Sequence, residues 1–171
     1  MHAVVDELDI KILRMYLGDA RLSCREVAKR LRTSIKTVLV RLKELEKEGV
    51  VKGYSVVLDY EKLGFNITAV TEVTVSKGRL LEMEDQICKS PHTVAIYDVT
   101  GDIDAMVISK FKNMDDLNMF TRWMLKLPYV ERTNTHVVLT PIKEDLRIDP
   151  QIKEPVTVNL NRYLSPVSVE H

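Results

Sequence analysis

Residues 21–52, RLSCREVAKRLRTSIKTVLVRLKELEKEGVVK, constrain the fold more than any other stretch. Ser23 is placed to cap a short helix that buries Val27, Ala28 and Leu31. Ser34 is placed to cap a second that buries Val38, Leu42 and Leu45. Gly49 follows where a left-handed stop is wanted. Two such helices joined by a tight turn cannot bury both of their faces, so a third element must supply a lid. Residues 6–17, DELDIKILRMYL, fit that need. Leu8, Ile12 and Met15 form one apolar line, Ile10, Leu13 and Leu17 widen it, and the leading acids suit the helix dipole.

Charge then bears on function. Residues 21–52 carry ten basic residues against four acids, in a chain whose 25 basic and 25 acidic residues cancel. A basic patch on a neutral protein is the footprint of a polyanion site, because each Lys or Arg that meets a phosphate releases a condensed counterion. A solvated face of ordinary charged helices is the plain alternative. At about 100° per residue, the side of the second helix opposite its apolar line presents Lys36, Val40, Lys43 and Lys47, with Thr33 and Thr37 beside them. Small and basic groups at the start of a second helix suit insertion into a major groove of double-stranded DNA. The candidate contacts are Ser23, Arg25, Thr33, Ser34, Lys36, Thr37, Val40, Arg41 and Lys43. Val40 is either an exposed valine or a partner for a thymine methyl.

Beyond Gly49 the pattern changes. Val50 to Leu58 alternates and is expected to begin a strand and connector. Residues 59–64, DYEKLG, read as a turn, with the domain boundary between Gly53 and Phe65. Strands are expected over 66–75, 94–100, 105–111 and 130–139. Helices are expected over 80–90, stopped by Pro91, and from an Asp115 cap to Pro128. The order β-α-β-β-α-β is the split, ferredoxin-like arrangement: an antiparallel sheet with both helices on one face. The other face must be covered, and a second copy of the sheet is the simplest cover. The fold class is therefore α+β. A three-helix helix-turn-helix domain (1–53) and a connector (54–64) precede a ferredoxin-like domain (65–142), and a polar extension (143–171) follows. Within the extension, Val156 to Leu160 is either an added edge strand or part of a flexible tail.

No apolar run approaches the roughly 18 residues that span a membrane, and no export signal opens the chain. Cys24 and Cys88 form no disulfide framework, which fits a reducing cytoplasm. No His or Cys stands at metal-ligand spacing and no glycine-rich phosphate loop occurs, so neither metal nor cofactor is expected.

Several ordered motifs resemble one family, the leucine-responsive and asparagine-regulator (Lrp/AsnC, or feast/famine) transcription factors. They are LDIKIL at 8–13, TVLVRLKELEKEGVVKGY at 37–54, LGF at 63–65, TGDIDAMV at 100–107 and VERTNTHVVL at 130–139. The resemblance covers roughly residues 5–142. It implies a carboxy-terminal domain of the RAM type, and a DNA-binding homodimer that assembles to a tetramer or octamer. It also implies a small-molecule effector, usually an amino acid. Carried over, the effector site comprises Gly101, Asp102 and Asp104 of the turn with Thr133, Thr135 and His136 of the last strand. A carboxylate suits an α-amino group, and the free N–H groups of a glycine turn suit an α-carboxylate. The plain alternative is a turn glycine capped by its aspartates. Two departures stand out. Pro128-Tyr129-Val130 replaces the family's Pro-Gly-Val, and the tail is long.

Two other functions fit part of the pattern. A related group with this architecture decarboxylates siroheme, but His2, His92, His136 and His171 have no partner at ligand spacing. A ligand-independent architectural protein, binding DNA through its backbone alone, is the other alternative.

Overall fold

The computed structural model describes residues 5–76 and 78–150. The chain divides into two compact units, one ending at Val56 and resuming at Asp145, the other running from Val57 to Glu144. The expectation for Val156 to Leu160 lies outside the described residues.

The first unit holds three short helices, α1 (Glu7–Gly18), α2 (Cys24–Leu31) and α3 (Ile35–Lys47). Each is started by a side chain that accepts its free N–H groups. Asp6 accepts from Leu8 and Asp9, and Asp9 returns a bond to the Asp6 N–H. Ser23 and Glu26 form the same reciprocal box on α2, and Ser34 accepts from Thr37 at 2.9 Å on α3. Arg32 makes the turn between α2 and α3 in the left-handed region at φ +53, while the Thr33 N–H reaches back to the Ala28 carbonyl. Ile12, Val27, Ala28, Val38 and Leu42 form the core, with Leu31 only partly buried against it. Gly49 ends α3 at φ +72, and the N–H groups of Val50 and Val51 both return to the Leu45 carbonyl.

The strand expected over Val50 to Leu58 is not formed. Val56 and Val57 are each 75% exposed, and no strand pairs with them among the described residues. Alternation selects the faces of a strand, but its N–H and C=O groups still need a neighbouring chain. Instead Tyr54 donates to Glu46 and packs edge-on against Tyr16. Burial and the Glu46 contact push its phenol up to about 12.

The second unit is a four-stranded sheet of order β2-β3-β1-β4, antiparallel at every pairing. The strands are β1 (Ile67–Val75), β2 (Thr93–Asp98), β3 (Ala105–Phe111) and β4 (Val130–Val137). The helices are α4 (Leu80–Cys88) and α5 (Met114–Met124). Ala69, Val73, Val107 and Phe111 meet Met83, Ile87, Phe120 and Met124 on the helix side. On the opposite side the strand register aligns Ala95, Ile108, Val70 and His136 in one row, and Tyr97, Met106, Glu72 and Asn134 in the next. One half of that face is therefore apolar and the other half, over β4, polar. At one end of it Lys110, 7% exposed, donates to Thr68 and Glu144 and lies 5.4 Å from the centre of the Tyr60 ring.

Two helix ends differ from the expectation. Asn113, not Asp115, caps α5, accepting from the Asp116 N–H at 2.9 Å and donating to its carboxylate at 3.0 Å. Asp115 falls inside the first turn, where it only favours the dipole. The helix also closes at Met124, before Pro128 could act. Asn113→Ala is expected to cost the second unit about 1 kcal/mol, and Asp115→Ala under about 0.5, in urea unfolding monitored at Trp123.

Candidate nucleic-acid interface and effector turn

The cationic residues of the first unit are sorted by what already holds them. No carboxylate among the described residues pairs with Arg25, Lys29, Lys36, Lys43 or Lys47. Lys36 and Lys43 are exposed on α3, and Val40 between them is 44% exposed. Ser34 and Thr37 close the amino end of that helix with a 2.7 Å hydroxyl contact. Ser23 and Arg25 stand exposed at the start of α2, and Thr33 is half-buried in the turn. The Ser23 N–H holds the Glu26 carboxyl below its usual range, so the one acid in that turn is occupied in capping.

Arg41 is different. Its guanidinium reaches Asp6 at 2.9 Å and Asp9 at 3.4 Å, across the start of α1. The sequence offers it as a DNA contact alongside Lys36. The partners are 32 and 35 residues away along the chain, beyond any local spacing rule. Ile35 and Leu39, 47% and 43% exposed, form an apolar flank on α3 that the sequence reading also missed. Their i, i+4 spacing was the available signal.

In the second unit the expected effector residues divide. Gly101 sits at φ +128, a conformation a side chain would strain, and Asp102 is exposed beside it. Asp104 is built into the frame. Its N–H donates to the Val73 carbonyl at 3.0 Å, and its carboxylate accepts from the Val75 N–H at 2.8 Å. The β1–β4 register slips between Thr74 and Val75, and Asp104 takes up the amide at that slip. Thr133 lies opposite Val73 on the other side of β1, so it borders the same end of the sheet. Thr135 is one row further on, and its hydroxyl is 3.1 Å from that of buried Thr71. His136 points to the opposite face, where it meets Glu72 at 3.4 Å and Asn134 at 3.1 Å. The Asn134 amide holds the Glu72 carboxyl below its usual range, with His136 adding to the effect. The structure thus puts Asp104 and Thr133 on either side of Val73, with Gly101 and Asp102 in the turn before Asp104, and sends His136 to the other face. A groove of about 400 Å³ lies elsewhere, beside α5, lined by His92, Phe120 and Trp123 among others and by none of the expected effector residues.

Asp104→Ala strands a partly buried amide and is expected to cost about 1–3 kcal/mol of stability in urea unfolding. Asp102→Ala is expected to change it by less than about 0.5 kcal/mol.

Each half of the chain matches a known domain. The model of a winged helix-turn-helix DNA-binding domain matches residues 5–52, and that of the Lrp/AsnC ligand binding domain matches residues 68–148. An uncharacterized HTH-type transcriptional regulator of Pyrococcus abyssi is 42% identical over 147 residues, covering 86% of this chain and all of the relative. Bacillus subtilis LrpC superposes with a TM-score of 0.74 at 26% identity, over 85% of this chain and all of LrpC. A transcriptional regulator of Neisseria meningitidis in complex with L-Met superposes with the same score and identity, over 94% of this chain and 100% of its own. The chain belongs to the Lrp/AsnC family of helix-turn-helix transcriptional regulators.

Proposed function

We propose that the protein works as a homodimer, able to assemble further, whose hold on operator DNA is tuned by an amino acid. The observation that carries the DNA half is the set of unpaired cations on the outer side of α3, beginning at a capped amino end. A helix amino terminus with free lysines offers phosphates both a dipole and mobile charge. We assign the contacts to Arg25, Lys36 and Lys43, with Ser34 and Thr37 close to the backbone. One helix of this size reads few bases. Two-fold pairing presents two copies about 34 Å apart, one turn of the duplex.

The sheet supports the pairing. Val70, Ala95, Met106 and Ile108 share the face without helices, and Tyr97 on that face is 46% exposed. A second sheet would bury this apolar half while its polar half, over β4, meets solvent or further copies. The effector assignment rests on the turn at Gly101–Asp104 and on the Neisseria meningitidis relative solved with L-Met. Exposed Asp102 is the carboxylate left over for an amino group, since Asp104 is occupied by Val75. The protein acts by binding and not by catalysis, and its place is the cytoplasm, where the DNA is.

Fluorescence anisotropy on the protein's own promoter DNA tests the first half. Lys36→Ala is expected to weaken binding and to reduce the slope of log K against log salt by about 0.9, one phosphate contact. An unchanged slope would remove Lys36 from the interface. A thermal-shift screen of the twenty amino acids tests the second half. A true effector raises the melting temperature by linkage and alters the gel-shift pattern at the same concentration. No response to any amino acid would return the protein to ligand-independent, architectural binding.

A further inference from the structure

Asp9 is the one buried acid among the described residues, 4% exposed at the start of α1. One of its carboxylate oxygens accepts the Asp6 N–H at 3.0 Å and faces the Arg41 guanidinium at 3.4 Å. The other arm of the same guanidinium meets Asp6 at 2.9 Å. Arg41 thus straddles the two carboxylates of one capping box. The planar fork of a guanidinium fixes direction as well as distance. The apolar cluster that includes Ile12 and Val38 holds α3 against α1 but resists rotation of α3 about its own axis only weakly, because its contacts are not directional. At about 100° per residue, Arg41 stands 100° or more around the helix from each of Lys36, Val40, Lys43 and Lys47. A phosphate that captured Arg41 would leave Asp9 buried and unpaired, which is costly.

We propose that Arg41 is a positioning residue for DNA recognition: through Asp6 and Asp9 it sets the rotation of α3, and it makes no phosphate contact itself. The proposal rests on the reading of α3's outer side as the DNA-contacting side. It makes a prediction opposite in sign to simple electrostatics. Removing a negative charge near a polyanion site tightens binding if the acid merely repels DNA. If Asp9 orients α3 through Arg41, removing that charge weakens binding.

The experiment uses the full chain, with promoter DNA affinity measured by anisotropy over a series of potassium chloride concentrations and folding checked by circular dichroism. Arg41→Gln and Asp9→Asn are each expected to weaken binding on the order of tenfold at every salt concentration, with the salt slope of the unaltered protein. Asp6→Asn keeps a good cap, so α1 stays started while one charge is lost. It is expected to shift affinity in the same direction by a smaller factor, and it decides the question should Asp9→Asn fail to fold. Lys36→Ala serves as the reference for a lost phosphate contact. A slope reduced by about 0.9 in Arg41→Gln would overturn the proposal. So would binding by Asp9→Asn or Asp6→Asn as tight as that of the unaltered protein, or tighter. An unchanged slope in Lys36→Ala would instead sink the assignment of the outer side of α3, while the sign of the aspartate variants would still decide the role of Arg41.

Discussion

Helices of eight to thirteen residues do not hold together alone in water, and every helix described here is of that length. Forming the first turn costs more than the few later bonds return, so an isolated segment this short is mostly unfolded. Each helix therefore depends on what its ends and its inner face find elsewhere. Asp6, Ser23, Ser34 and Asn113 supply the ends of four of them, and α4 has no side-chain cap. Ile12, Val27 and Val38 in one unit, and Met83, Ile87 and Met124 in the other, supply the faces, all fully buried. The outer side of α3, the surface proposed to meet DNA, is thus held in place largely by residues that lie off it.

That dependence explains what could be read from the chain. Caps and apolar periodicity are local, so the three helices of the first unit, the βαββαβ order and most strand bounds were legible. Ser23 had no rival within two residues, and Ser34 had only Thr33, a weaker cap, beside it. Asn113 had one in Asp115, and the side-chain geometry that separates them does not show in letters. Residues 50–58 were misread for a different reason. Their alternation describes a strand's two faces, but a strand exists only where a neighbour accepts its backbone, and residue spacing contains no neighbour.

The candidate site was legible in part for the same reason. Lys36 and Lys43 follow from helix geometry alone. Arg41 stands 100° or more around the helix from both, and its partners Asp6 and Asp9 are remote in sequence. In the second unit the turn glycine and its aspartates were visible, but not which aspartate the frame would use. The register slip at Thr74/Val75 decides that, by leaving an amide that Asp104 takes up. His136 was grouped with Thr133 and Thr135, although in a strand an odd separation already sends side chains to opposite faces.

The strand order β2-β3-β1-β4 puts the first strand made at the centre of the sheet. On the ribosome β1 emerges with nothing to pair with. Its neighbours end at Phe111 and Val137, so at about 5–20 residues per second the segment ITAVTEVTV waits several seconds for its second flank. During that wait it is an apolar, β-branched ribbon with two open edges, the kind of segment that aggregates. Thr68, Thr71, Glu72 and Thr74 interrupt its apolar run, so the polar residues of β1 also protect the nascent chain before any fold exists.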